Sequence, residues 1–138
     1  MMKMKNPEIF RYVGAIQDFG VPFVSLFVDE ATRELYLLVR LDLDNESSEE
    51  YVAVRTSVKE IEAYMDNSES LSDIFRDKKK LFVIFSDNGC LFTSDSDEDF
   101  KSAIEDCDDF DSEFCEDEIW IKTFLNRIVN NKPLEIAS

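Results

Sequence analysis

Along the first half of the chain apolar runs are separated by short polar stretches, and one of the runs alternates with a period of two. In "LYLLVRLDL", Leu35, Leu37, Val39, Leu41 and Leu43 fall on one side; Tyr36, Leu38, Arg40 and Asp42 fall on the other, which turns polar toward its end. Successive side chains of a strand point to opposite faces, so this pattern predicts one buried face and one partly covered face. "IFRYVGAI", "VPFVSLFVDE" and "YVAVRT" share the β-branched and aromatic bias, and Asp18-Phe19-Gly20, "DEATRE" and "DNESSE" separate the runs as turns. Pro22 cannot donate to a ladder and marks a strand start or an edge. A meander of antiparallel strands is predicted from Glu8 to Thr56.

After Thr56 the period changes. Val58, Ile61 and Met65 form a short helical stripe behind Ser57 and Glu60, which stand at capping-box spacing, and Ser70 with Asp73 repeats that spacing before "LSDIF". "KKKLFVIFS" and "CLFTS" read as two more strands about an Asp87-Asn88-Gly89 hairpin turn, with the lysines as a solvated, aggregation-guarding approach. Phe100, Ala103, Ile104, Cys107, Phe110 and Phe114 then recur at helical spacing. They predict an acidic helical segment over about 95–118, capped by Ser94 or Ser96, with room for a break near Asp108 where "DDFDSEF" supplies poor helix formers. "EIWIKTFLNRIVNN" places Trp120, Phe124 and Ile128 on one helical face with Ile121 and Leu125 beside it; Asn130, Asn131 and Pro133 stop it.

The fold class that follows is α+β, one acidic domain over residues 1–138. It has a mainly antiparallel sheet of five to six strands, short helices after the fourth strand and two helical segments at the C-terminal end. Its core should contain Phe23, Leu26, Leu37, Val39, Val54, Val83, Phe85, Ile104 and Trp120. The run from Val21 to Phe75, with "LYLLVRLDL", "YVAVRTS" and "SLSDIF", resembles small uncharacterised bacterial proteins with a strand meander and a serine-capped S-L-x-D-I-F turn. The resemblance points the source toward bacteria or their mobile elements and implies no activity and no functional residue.

Charge changes the picture more than composition does. The net charge is −16, and residues 94–118 alone hold thirteen carboxylates against one lysine. The acidity is therefore regional, a field that repels nucleic acid and anionic membrane surfaces and attracts basic proteins. Cys90, Cys107 and Cys115 lack CxxC spacing and are odd in number, which fits buried thiols in a reducing cytoplasm. The N-terminal "MMKMKNPEIF" has no long apolar run after its lysines, and no apolar stretch reaches the roughly 20 residues of a membrane span.

Candidate chemistry is thin. The chain has no histidine and three glycines, so the commonest general base, the P-loop, the dinucleotide fingerprint and the nucleophile elbow are all missing. Cys90 without a histidine partner reads as an inert thiol, and an enzyme is not predicted. Asp95, Asp97, Asp99 and Asp106 sit at positions 1, 3, 5 and 12 of an EF-hand-like loop, but Phe100 occupies the position that requires glycine. No metal and no cofactor are expected. The reading that remains is a small cytoplasmic protein-binding module that inhibits or neutralises a basic, nucleic-acid-handling or toxin partner, in the manner of immunity or anti-defence proteins. Its face would be Asp97, Glu98, Glu105, Asp108, Asp109, Asp111 and Glu113. The alternative is a non-enzymatic accessory or assembly domain, a homo-oligomer included, whose acidic face serves only solubility.

Overall fold

The computed structural model describes residues 2–5, 10–41, 49–86, 89–94, 101–115 and 117–133. Among these residues seven strands form one sheet: β1 (Met2–Lys5), β2 (Phe10–Asp18), β3 (Pro22–Asp29), β4 (Glu34–Arg40), β5 (Glu49–Thr56), β6 (Leu81–Ser86) and β7 (Gly89–Ser94). The order is β1-β7-β6-β5-β4-β3-β2, and every neighbouring pair is antiparallel. The meander is as the apolar runs imply, continued through β6 and β7. The strand not foreseen is β1, whose Met-Lys alternation carries too little β-branched or aromatic character to register.

The two edges, β1 and β2, are joined by four residues. A flat sheet of seven strands would separate its edges by about 29 Å at the usual strand spacing. Lys5 and Phe10 are five Cα steps apart and reach at most about 18 Å. The sheet must therefore curl. Its concave side carries the signature of that curl: the rings of Phe10 on β2 and Phe85 on β6 stack at 6.5 Å, and Phe27 on β3 stacks on Phe85 at 5.4 Å. Phe10 and Phe85 would lie about 19 Å apart in a flat sheet.

Curling gives the domain two cores. The concave one contains Phe10, Phe27, Tyr36, Leu38, Tyr51, Ala53 and Val83, with Leu81 and Phe85 at its margin. On the face of β4 expected to be partly covered, Tyr36 and Leu38 are buried and Arg40 is half-buried, so that face is covered at its start and turns polar toward its end. The two tyrosines reach outward from it: Tyr36 Oη donates to Glu34 Oε2 at 3.3 Å, and Tyr51 Oη donates to Glu49 Oε2 at 3.1 Å while accepting from Arg40. The convex face is aliphatic and carries the helices. Ile16, Val24, Leu26, Val28, Leu37, Val39, Val52 and Val54 meet Ile61, Leu71, Ile74, Phe75, Ile104, Ile121, Phe124 and Leu125 there. Each such side chain contributes about 1.5–3 kcal/mol by leaving water. Of the expected core, Leu26, Leu37, Val39, Val54, Val83 and Ile104 are buried; Phe23, Phe85 and Trp120 are half-buried.

The helices are α1 (Val58–Met65), α2 (Leu71–Phe75), α3 (Lys101–Glu105) and α4 (Glu118–Val129). Ser57 Oγ accepts from the Glu60 amide at 3.2 Å, and Ser70 with Asp73 completes a reciprocal capping box. On α4 the buried centre is Ile121, Phe124 and Leu125, about one residue on from the predicted stripe. Asn130 caps that helix, Asn131 takes a left-handed φ of 53°, and Arg33 donates from Nη1 to the Lys132 carbonyl and from Nη2 to the Arg127 carbonyl. The guanidinium adds a second donor to the Arg127 carbonyl, which also accepts the Lys132 amide at 2.9 Å, and it complements the helix dipole.

The acidic segment is not one helix. It runs as α3, a turn, and a 3-10 turn at Ser112–Phe114. The Asp108 and Asp111 side chains bind backbone amides outside a helical ladder, and the helix breaks after Glu105, close to the break that the poor helix formers of "DDFDSEF" allow. Ile104, Cys107 and Phe110 keep their inward stripe, whereas Phe114 leaves it and is exposed.

Candidate functional site: an acidic face with an aromatic tip

β2 is irregular, with register shifts between Tyr12 and Gly14, Ala15 and Gln17, and Gln17 and Asp18. A bulge takes backbone groups out of the ladder, and those groups need other partners. The acidic segment and α4 supply them. Trp120 Nε1 donates to the Val13 carbonyl at 2.8 Å, and the Ala15 amide donates to Asp117 Oδ2 at 3.2 Å. Gln17, 1% exposed, donates from Nε2 to the Asp111 carbonyl at 2.9 Å and accepts the Asp111 amide on Oε1 at 3.2 Å. Gly14 permits this approach, because a Cβ there would lie 3.2 Å from Ile121 Cγ1 and 3.3 Å from Asp117 Cβ.

The helical side holds the segment equally firmly. Tyr64 Oη donates to the Cys107 carbonyl at 2.6 Å, and the Phe110 amide donates to Asn67 Oδ1 at 3.2 Å. Asp108 serves the start of α2: its carbonyl accepts the Leu71 amide at 2.8 Å, and its Oδ1 accepts the Ser72 amide and hydroxyl, each at 2.7 Å. With Ser70 taking the Asp73 amide, the first three amides of α2 all have acceptors. Burial pushes the Tyr64 phenol well up from its ordinary value, helped by the nearby Cys107 and Asp108, so it stays a donor. Burial likewise pushes the Cys107 thiol up to about 12 and the Cys115 thiol up to about 11. Both thiols are free and neutral at physiological pH, the opposite of a nucleophile's environment.

What remains outside is a rim of carboxylates. Glu105, Asp106, Asp109, Asp111 and Glu113 are exposed, and Asp111 Oδ1 also accepts the Glu113 amide at 3.0 Å, which caps the 3-10 turn. Of the residues expected to form the face, Glu105, Asp109, Asp111 and Glu113 are exposed. Asp108 is a correction: it is half-buried and committed to Ser72, so it belongs to the frame and not to the exposed face. Asp97 and Glu98 lie outside the described residues, as do Phe100 and the loop positions Asp95 and Asp99. Among the described residues no group of three or more His, Cys, Asp or Glu is placed to hold a metal ion. Among them, too, no helix is long and apolar enough to cross a membrane.

Comparison of the chain with protein families, with curated proteins and with solved structures finds no match.

The acidic segment also shares in an exposed apolar cluster that the sequence pattern did not place at the surface. Phe19, Val21 and Phe114 are 43%, 44% and 40% exposed, and the rings of Phe19 and Phe114 meet edge-to-face at 4.9 Å. Phe19 also leans on Phe23 at 5.6 Å. The β2–β3 turn that presents them is set by Gly20 at φ 95°, whose amide donates to Asp18 Oδ1 at 2.9 Å. A signal was available: two large apolar residues, Phe19 and Val21, stand in a turn where polar residues are the rule. Several of the basic residues are engaged. Arg55 pairs with Glu34 at 2.9 Å, Lys78 binds Glu60 at 2.7 Å and the Arg55 carbonyl at 2.8 Å, and Lys80 reaches the Phe75 carbonyl at 3.4 Å. The lysine run thus fastens α1 and α2 to the sheet, a more structural role than a solvated approach.

Proposed function

We propose that the protein is a small binding module that docks on a basic protein partner through Glu105, Asp109, Asp111 and Glu113, and so blocks or neutralises the surface it covers. The observation that carries this reading is the two-sidedness of the acidic segment. Its backbone is held by Gln17, Tyr64, Asn67 and Leu71, and Ser72 holds the Asp108 side chain, so its outer carboxylates are presented from a fixed frame. A solvating tail has no need of such fixation. A preorganised acidic face loses less conformational entropy on docking and steers basic partners by its field. A surface that handles nucleic acid is the natural complement, because carboxylates at these positions mimic the charge of phosphates.

The test is capture of partners from the native host by the wild-type chain and by an Asp106→Lys/Asp109→Lys/Glu113→Lys variant, at low and at high salt. The reading requires a basic protein retained by the wild type, lost by the variant and released by salt, whose purified activity the wild type suppresses. Equal capture by both chains would remove its support.

A further inference from the structure

We propose that Phe19, Val21 and Phe114 form the apolar anchor of the acidic face, and that the segment they take is basic and aliphatic: leucine, isoleucine or methionine flanked by lysine or arginine. The proposal rests on the acidic-face reading above and specifies what the partner must present. The rings of Phe19 and Phe114 meet with their centroids 4.9 Å apart, and Val21 stands exposed in the same turn, where the Phe19 amide donates to the Val21 carbonyl at 3.1 Å. They are also fixed from behind, by Phe23 under Phe19 and by the Gln17 clamp on Asp111 three residues before Phe114. A rigid, exposed aromatic pair within a charged rim is the composition of an interface hot spot, where apolar groups supply affinity and the rim supplies orientation.

The charge around the tip selects the occupant. Asp18, Asp111 and Glu113 border it, and neither residues 12–23 nor residues 103–121 contain a lysine or arginine. A second copy of this chain, tip on tip, would bring two sets of these carboxylates together without a counter-charge. A basic segment pairs with them while its aliphatic centre covers the rings. Affinity should then have two separable parts: a salt-sensitive one from the rim and a salt-insensitive one from the tip.

The experiment uses the full chain and two synthetic lysine-rich peptides of equal charge, one with central leucines and one with serines in their place, followed by fluorescence anisotropy at low and high salt. Expected is about tenfold tighter binding of the leucine peptide, an advantage that survives salt and vanishes in Phe19→Ser/Phe114→Ser, with amide shifts centred on Phe19, Val21 and Phe114. If the double variant does not fold, Phe114→Gln alone should still reduce the advantage. Equal binding of both peptides to the wild type overturns the anchor and leaves the acidic face standing. Binding of neither overturns the acidic-face reading itself. A wild-type dimer in sedimentation that becomes a monomer in the Phe114 variant would make the occupant a second copy, and would also overturn the proposal.

Discussion

The inner seam and the outer rim of the acidic segment are made from the same residue types and do different work. At the seam, Asp108 and Asp117 accept hydrogen bonds from Ser72 and Ala15 and replace ladder or helical partners that those amides lack. At the rim, Asp106, Asp109 and Glu113 are exposed. Acidity as such therefore says nothing about role; what decides is whether an unpaired backbone donor lies within reach. Surface charges contribute little to stability, whereas a buried donor deprived of its acceptor costs about 1–3 kcal/mol.

The largest expected effect is at the seam's apolar floor. Ile104→Ala should destabilise the domain by about 2–5 kcal/mol in urea unfolding, because Ile104 is 6% exposed and its loss leaves a cavity. A loss below about 1 kcal/mol would mean that the segment is not seated there.

Alkaline pH sharpens the same contrast. A thiol has an ordinary value of 9.0, and in the fold Cys107 is raised to about 12 and Cys115 to about 11. Because the folded values are raised, the neutral forms favour folding fully below about pH 9, and that contribution is lost as pH rises from there through 11 to 12. The melting temperature should fall across this window. Cys107→Ser, which preserves a donor for the Ala103 carbonyl, should make the fall shallower; an unchanged slope would show that the thiol is not buried at the seam.

Asp108→Ala should cost about 1–2 kcal/mol, the value of a helix-start acceptor, and it should loosen hydrogen-exchange protection of Ser72 first. The smallest effect belongs to the rim. Asp109→Lys or Glu113→Lys alone should change stability by less than about 0.5 kcal/mol, since both are exposed.

These two regions were unequally legible in the sequence. Apolar, β-branched and aromatic runs between turn signals marked β2 to β7, and the Ser57–Glu60 and Ser70–Asp73 spacings marked the starts of α1 and α2, because these patterns depend on neighbours along the chain. The curl of the sheet was hidden, since it follows from where β1 pairs, and "MKMK" gives no sign of that partner. The bulges of β2 were equally hidden, and with them the roles of Asp117, Gln17 and Trp120. Phe114 matched a helical period but left the stripe, because Asp108 and Asp111 divert their carboxylates to capping and the chain turns away. Asp108 and Asp109 are neighbours of identical type; only the position of Ser72 separates their roles.

The most direct measurement sets the two regions side by side in one experiment. Unfolding free energy and salt-dependent affinity for a lysine- and leucine-bearing peptide would be measured for the wild type, for Asp106→Lys/Asp109→Lys/Glu113→Lys, and for Asp108→Ala/Asp117→Ala. The rim variant should keep wild-type stability within about 1 kcal/mol and lose most of its low-salt affinity, while the seam variant should lose stability and, under conditions where it remains folded, bind nearly as well as the wild type. A rim variant that binds undiminished, or a seam variant that unfolds no more readily than the wild type, would contradict the division of the acidic segment into a binding side and a structural side.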